Sequence, residues 1–273
     1  RMTYIKELLT TRELLANLTM REVKGQYRRT FLGQLWSLIN PLATMLVYTV
    51  VFLFLLRFEP PAGDPSGVEG YPLWLMCGLL PWSYFMRVVN GGLSSVVSNA
   101  GLIKKVYFPR MHLPLAVMCS TGITWSLEMA VLAVVLMLFG AMPLPFIPVI
   151  IFFMALLALL SVGFAMMLAI VNVHFRDTKH FVGIILQMWM FLTPIIYPIT
   201  FVENRAETAG EWVLFVYRLN PMERFVAVFR NLMYDNRLPD ASDTIFCLVV
   251  ALAVFALGFL VFSRNEKRLA ELL

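Results

Sequence analysis

Six stretches of this chain are long and apolar enough to cross a lipid bilayer, and that limits what it can fold into. They run over about residues 35–56, 72–97, 113–139, 146–173, 180–198 and 244–262. A hydrocarbon core ~30 Å thick takes ~20 residues of helix. Inside it every backbone N–H and C=O has to be satisfied by protein, which leaves helices as the simple solution. The chain is 60% hydrophobic and 14% charged, far more apolar than a soluble domain. The expected fold is an all-α polytopic membrane protein with six transmembrane helices, an N-terminal amphipathic interface helix and short re-entrant helices between spans 5 and 6.

The chain divides accordingly. Residues 1–34 form a cytosolic or interfacial amphipathic segment, 35–262 the permease-like membrane domain, and 263–273 a tail. In the first, Tyr4, Ile5, Leu8, Leu15 and Leu18 share a helical face opposite Lys6 and Glu13, as a helix lying in the membrane interface requires. Thr10 and Glu13 have capping-box spacing. The charged, amphipathic start predicts no cleavable signal peptide. In span 1, Asn40-Pro41 predicts a kink or a late start. In span 5, a charged foot (Arg176, Asp177, Lys179, His180) leads into an apolar helix holding Gln187, which Pro194 and Pro198 stop or break. Residues 199–243 form an outer region with one clear helix after Asn220-Pro221. There Met222, Phe225, Val226, Phe229, Leu232 and Met233 share a face and Glu223, Arg224, Arg230 and Asn231 oppose it. It is too short to span, so it is interfacial or re-entrant.

The net charge of +5 would fit nucleic-acid binding, but the cations fall in alternate loops, as membrane orientation requires. Of 22 lysines and arginines, 15 lie on the side of the termini and six on the other. The positive-inside rule therefore puts both termini in the cytoplasm. Cys77, Cys119 and Cys247 all lie in apolar runs and read as small buried hydrophobes, with no metal-ligand spacing.

Two features bear on chemistry. There is no Gly-x-x-x-x-Gly-Lys-Ser/Thr phosphate loop, and only Arg87 and Glu128 are ionisable well inside spans. The chain therefore has no energy source of its own, and a separate ATPase subunit is expected to grip its cytosolic loops. Arg87 either lines an aqueous path, meets an anionic substrate, snorkels, or pairs structurally; Glu128 is a structural acid, with Arg87 or backbone groups as its partner. No residue is expected to be catalytic or to bind metal. Aromatic residues gather in spans 1, 2 and 5, where they serve as channel walls, interfacial belts or core packing.

Four blocks carry a resemblance. They are Arg21-Glu22-Val23-Lys24-Gly25-Gln26-Tyr27-Arg28-Arg29 leading to Trp36 and Pro41; Leu102-Ile103-Lys104-Lys105-Val106-Tyr107-Phe108-Pro109-Arg110; Phe175-Arg176-Asp177 with Thr193-Pro194-Ile195-Ile196-Tyr197-Pro198; and Leu219-Asn220-Pro221-Met222 with Arg230 and Tyr234. The chain resembles the membrane permease of type-2 ATP-binding-cassette exporters, in the branch that exports lipid-linked polysaccharides such as O-antigen, teichoic acid, capsule and galactan. The resemblance implies a homodimer in the bacterial cytoplasmic membrane, with two ATPase subunits that hold ATP and Mg and a polyprenyl-linked polysaccharide as substrate. It implies ATPase docking at Arg21, Lys24, Arg28, Arg29, Lys104, Lys105, Arg110, Arg176 and Asp177. Channel candidates are Tyr48, Phe52, Trp82, Tyr84, Phe85, Arg87, Gln187, Trp189 and Phe191. The implied outer gate holds Pro194, Tyr197, Pro198, Asn220, Pro221, Phe225 and Phe229. Rival readings are the same fold exporting a drug or lipid, an ion-coupled carrier centred on Glu128, and an integral-membrane glycan enzyme.

Overall fold

The computed structural model describes residues 10–26, 33–57 and 60–269. Arg28 and Arg29 lie outside them. Among the described residues all regular structure is helical. The main helices are α1 (Arg12–Gln26), α2 (Trp36–Thr49), α3 (Tyr71–Ser98), α4 (Ala100–Ile103), α5 (His112–Leu138), α6 (Ile147–His174) and α7 (Thr178–Phe191). Then follow α8 (Thr200–Ala209), α9 (Trp212–Arg218), α10 (Pro221–Arg230) and α11 (Ala241–Asn265).

Four segments are both long and apolar enough to cross a membrane: Trp36–Leu55, His112–Leu138, Leu144–His174 and Ala241–Glu266. The chain is thus a multi-pass membrane protein. The other two expected spans differ from these for separate reasons. Helix α3 has 28 residues, ample length, but its second half carries Arg87, Asn90 and four serines within 83–98. Helix α7 has 14 residues, about 21 Å at ~1.5 Å per residue, and stops at Phe191, not near 198. The residue before a proline is pushed out of the helical region, so Thr193-Pro194 ends the helix and Leu192–Tyr197 run on as turns and bends. Helix α2 continues through Pro41, which sits in its second turn and removes one N–H, and then passes into a π-helical turn, Val50–Leu55.

Helices α3, α6 and α11 run in the same direction and α5 runs against them, with α3 and α6 at the centre. Hydrogen bonds fix which ends lie together. Asn172 on α6 donates to the Leu93 carbonyl at 3.1 Å, and Arg110 holds Glu266 beyond α11. Helix α1 lies across the same end: Thr11 meets His112 at 2.7 Å and Arg21 donates to Asn99. At the opposite end Tyr71 donates to the Ile196 carbonyl at 3.0 Å, and Ser66 to the Tyr234 carbonyl at 2.5 Å. The buried face of α1 holds Leu18 and Thr19, with Leu14 and Leu15 half-buried. Of the amphipathic face expected from the sequence, Leu15 and Leu18 pack inward and Glu13 is exposed, whereas Tyr4, Ile5, Lys6 and Leu8 lie outside the described residues.

Helices α6 and α11 cross with backbones nearly touching at Gly163 and Gly258. A Cβ on Gly163 would come 2.7 Å from the Val254 carbonyl oxygen and 2.9 Å from the Phe255 Cα. Lipid gives no hydrophobic push between helices, so close approach of small residues is what holds such a pair. Gly163→Val should therefore cost about 1–3 kcal/mol, as overpacking does, read as a lower unfolding temperature in detergent. Gly183→Val, where a Cβ meets nothing within 4 Å, should leave it nearly unchanged.

Candidate functional site

The expected outer gate is a satisfied polar joint built where α7 breaks. Asn220 is the N-cap of α10 and accepts from the Met222 N–H at 3.0 Å. The same Oδ1 accepts from Trp189 Nε1 at 2.8 Å, and Asn220 Nδ2 donates to Thr193 Oγ1 at 2.9 Å. One side chain so ties the α10 start to the α7 end. Arg230, at the far end of α10, is 9% exposed. Its Nη1 donates to the Pro194 carbonyl at 2.7 Å and its Nη2 to the Ile195 carbonyl at 2.5 Å. Its guanidinium lies 3.5 Å from the centre of the Trp74 ring. Gly78 makes the room, since a Cβ there would come 2.9 Å from Arg230 Nη2.

Of the gate residues, Pro194, Pro198, Phe225 and Phe229 are buried and Pro221 is half-buried. Tyr197 donates to the Phe191 carbonyl at 2.8 Å and lies 3.3 Å from the Tyr217 hydroxyl. Residues 195–199 form turns, whereas α8 and α9 fill 200–218. Those two helices are mixed in polarity and short, and no cap or periodic stripe in the sequence marks them.

The aromatic channel candidates fall into separate groups. Trp82 and Phe85 meet Trp189 edge-on at 6.1 and 5.3 Å, with Phe164 of α6 closing the cluster. Tyr84 points elsewhere, stacking on Trp125 at 4.2 Å, which in turn meets Phe229. Tyr48, Phe52 and Tyr71 form a third run beside α2. Trp82, Tyr84 and Phe85 are buried within the protomer. Gln187 and Phe191 are exposed on α7, on a face shared with Ile184 and Met188.

Arg87 and Glu128 form a bidentate pair: Nη1 to Oε1 at 2.8 Å and Nη2 to Oε2 at 2.7 Å. Glu128 is buried and Arg87 half-buried, so two charges that are costly in lipid meet in fork geometry. Arg87 also borders two adjoining polar cavities, of about 480 and 370 Å³.

Docking candidates lie at the end that carries α1. Lys104, Lys105, Arg176 and Asp177 are exposed, as are Arg21 and Lys24 on α1. Tyr107 between them is 84% exposed. Arg110 is half-buried and is used internally on Glu266. The sequence puts Glu223 and Arg230 on the polar face of α10, opposite its apolar face, but the structure buries both. Burial pushes the Glu223 carboxyl up to about 7, against the opposing pull of Arg224 and Arg218. Arg224 sits 3.6 Å away, too far to hydrogen-bond, and is itself engaged by Asp243.

The amino-acid sequence has matches among known proteins. Residues 13–234 match the family model described as ABC-2 type transporter, and the chain belongs to that family. It is 32% identical to the O-antigen export system permease protein RfbA of Myxococcus xanthus, over 98% of both chains. It is 26% identical to the RfbA permease of Klebsiella pneumoniae, over 96% of this chain and 95% of that one. It is 21% identical to the polysialic acid transport protein KpsM of Escherichia coli, over 92% of each.

Two measurements test the site's energetics. In a double-mutant cycle, Arg87→Met and Glu128→Gln should each lower stability, with a coupling of about 1–3 kcal/mol for residues in direct contact. Glu223 gives a pH signature. Its folded value lies above its unfolded one, so its contribution is complete below about 4.5 and is lost as pH rises through about 7. Thermal stability should fall between pH 5 and 8, and Glu223→Gln should flatten that slope and stand above the parent at pH 8.

Proposed function

We propose that this chain is the membrane subunit of an ATP-driven exporter that moves a lipid-linked polysaccharide across the bacterial cytoplasmic membrane. It works as a homodimer with two nucleotide-binding subunits, which hold the ATP and Mg. The observation that carries this reading is end-to-end similarity to permeases named for O-antigen export, spanning 98% of both chains. The two-ended architecture supports it. One end offers exposed cations and Tyr107 on loops tied to α1, a surface suited to a cytosolic partner. The other end joins α7, α10 and α3 through Asn220 and Arg230.

On this reading α3 and α7 complete six crossings, α1 lies at the cytoplasmic interface, and α8 to α10 form the re-entrant outer region. Both termini are cytoplasmic, because the cations concentrate at that end. The exposed face of α7 with Gln187 and Phe191, together with α2, contributes to a path at the dimer. The permease does no covalent chemistry; nucleotide hydrolysis in the partner pulls on the basic loops. Glu128, the acid an ion-coupled carrier would need free, is held at both oxygens by Arg87.

Purification from native membranes in mild detergent should bring down an ATPase subunit at one per chain. Lys104→Glu with Lys105→Glu should lose that subunit while the chain still inserts and folds. Glycan movement in vesicles by the chain alone, without ATP, would sink the reading.

A further inference from the structure

Between α2, α3 and α5 runs a groove that holds the Arg87–Glu128 pair at its middle. Its half toward α1 is polar. Asn40 of α2, and Ser83, Arg87, Asn90, Ser94 and Thr121 of α3 and α5, border the two adjoining cavities. Its other half is a mostly apolar cavity of about 280 Å³ bordered by Leu42, Met45, Met76, Leu80, Val131 and Phe139, with Glu69 also on its border. The halves join at Pro41, which borders both, and at the Arg87–Glu128 pair, with one member in each. One continuous groove is therefore hydroxyl- and amide-lined at one end and hydrocarbon-lined at the other.

Two observations bear on what fills it. The side chains of Asn40, Ser83, Asn90 and Ser94 are solvent-accessible and have no hydrogen-bond partner among the described residues. Polar groups in a membrane helix are expensive unless they meet protein, water or a polar ligand. Arg87 pairs with Glu128, and Glu22, which also borders the polar half, faces Arg21 at 3.6 Å, so the charges there are matched and the polar half offers hydrogen-bonding capacity without net charge. A bare phosphate would find its one cation already taken. Amides and hydroxyls both donate and accept, which matches sugar hydroxyls, which do the same.

We propose that this groove binds a single glycolipid, with its sugar head against Asn40, Ser83 and Asn90 and its hydrocarbon tail along Met45, Met76 and Val131. The order of the halves fits a lipid standing in the leaflet on the α1 side: its head lies toward α1 and its tail toward the far end. The choice of a sugar head rests on the exporter reading as well as on the neutral lining. The groove lies within one protomer and is distinct from the exposed α7 face.

The test uses the full chain with its co-purifying subunits, in vesicles holding a trace of glucosyl-diacylglycerol with a diazirine in mid-chain. The comparison probe is phosphatidylcholine carrying the same photoreactive chain. Labelled residues are mapped by mass spectrometry. The glucosyl probe should mark Met45, Met76 and Val131 about fivefold more than the choline probe, the factor a single net hydrogen bond gives. Asn90→Leu should bring the two probes level there and leave labelling of the exposed α7 face unchanged. Asn40→Leu, on the exposed side of the groove, should do the same if Asn90→Leu does not fold. Equal groove labelling by both probes, or none by either, overturns the proposal. Labelling needs no turnover: its loss in a chain that still exports glycan defeats the groove alone, and its presence in a chain that moves no polysaccharide defeats the exporter reading alone.

Discussion

Irregular backbone buried away from water has to find its hydrogen bonds in the protein, and the break after α7 is where this chain meets that demand. Thr193-Pro194 frees carbonyls that a continuing helix would have used. A buried arginine from α10 takes two of them, at Pro194 and Ile195, and the Thr193 hydroxyl returns to the Trp189 carbonyl at 2.8 Å. Among the described residues Arg230 has no ion pair; its charge is met by carbonyl dipoles and the face of Trp74. Removing a partner from such a set leaves buried acceptors unsatisfied at roughly 1–3 kcal/mol each. The position of α10, and with it α8 and α9 before it, follows from that satisfaction.

The same logic explains the contrast between the two arginines at the heart of the molecule. Arg87 is matched by a carboxylate in bidentate geometry and remains half-open to polar cavities. Arg230 is sealed and bonded to backbone. The first arrangement leaves neighbouring amides and hydroxyls facing open cavities. The second leaves nothing over, as a rigid joint requires. Between them α3 acts as the shared spine: Gly78 admits Arg230 from one side, and a few turns on Arg87 reaches Glu128 on another.

Packing follows from what lipid withholds. Without a hydrophobic drive between helices, association relies on close contact and hydrogen bonds. The chain supplies the first at Gly163 and Gly258 and the second at Asn172, which reaches the Leu93 carbonyl. Helices α2 and α7 stand apart from this core. Their outward faces stay apolar and exposed, with Leu46, Phe54, Ile184 and Phe191 among them. They are the elements left to meet lipid or a second copy.

The amino-acid sequence by itself determined that this is an all-helical membrane chain, because only helices of ~20 apolar residues solve the backbone problem in lipid. It also determined that prolines stop the span-5 helix, though it placed the stop near 198 and the helix ends at Phe191, and it determined the helix start at Asn220-Pro221 and the apolar face of α10, since each rests on local geometry or on a 3.6-residue period. It offered pairing of Arg87 with Glu128 as one of several alternatives, and only the facing of α3 and α5 decided it. The division of the aromatic residues likewise waited on tertiary structure: helical neighbours such as Tyr84 and Phe85 point to different clusters because successive residues turn about 100° apart. Arg230 as a carbonyl clamp, Glu223 as a buried acid and the groove with unlike halves are equally products of packing. Each depends on residues tens to more than a hundred positions apart, and no local pattern encodes which of those distant faces will meet.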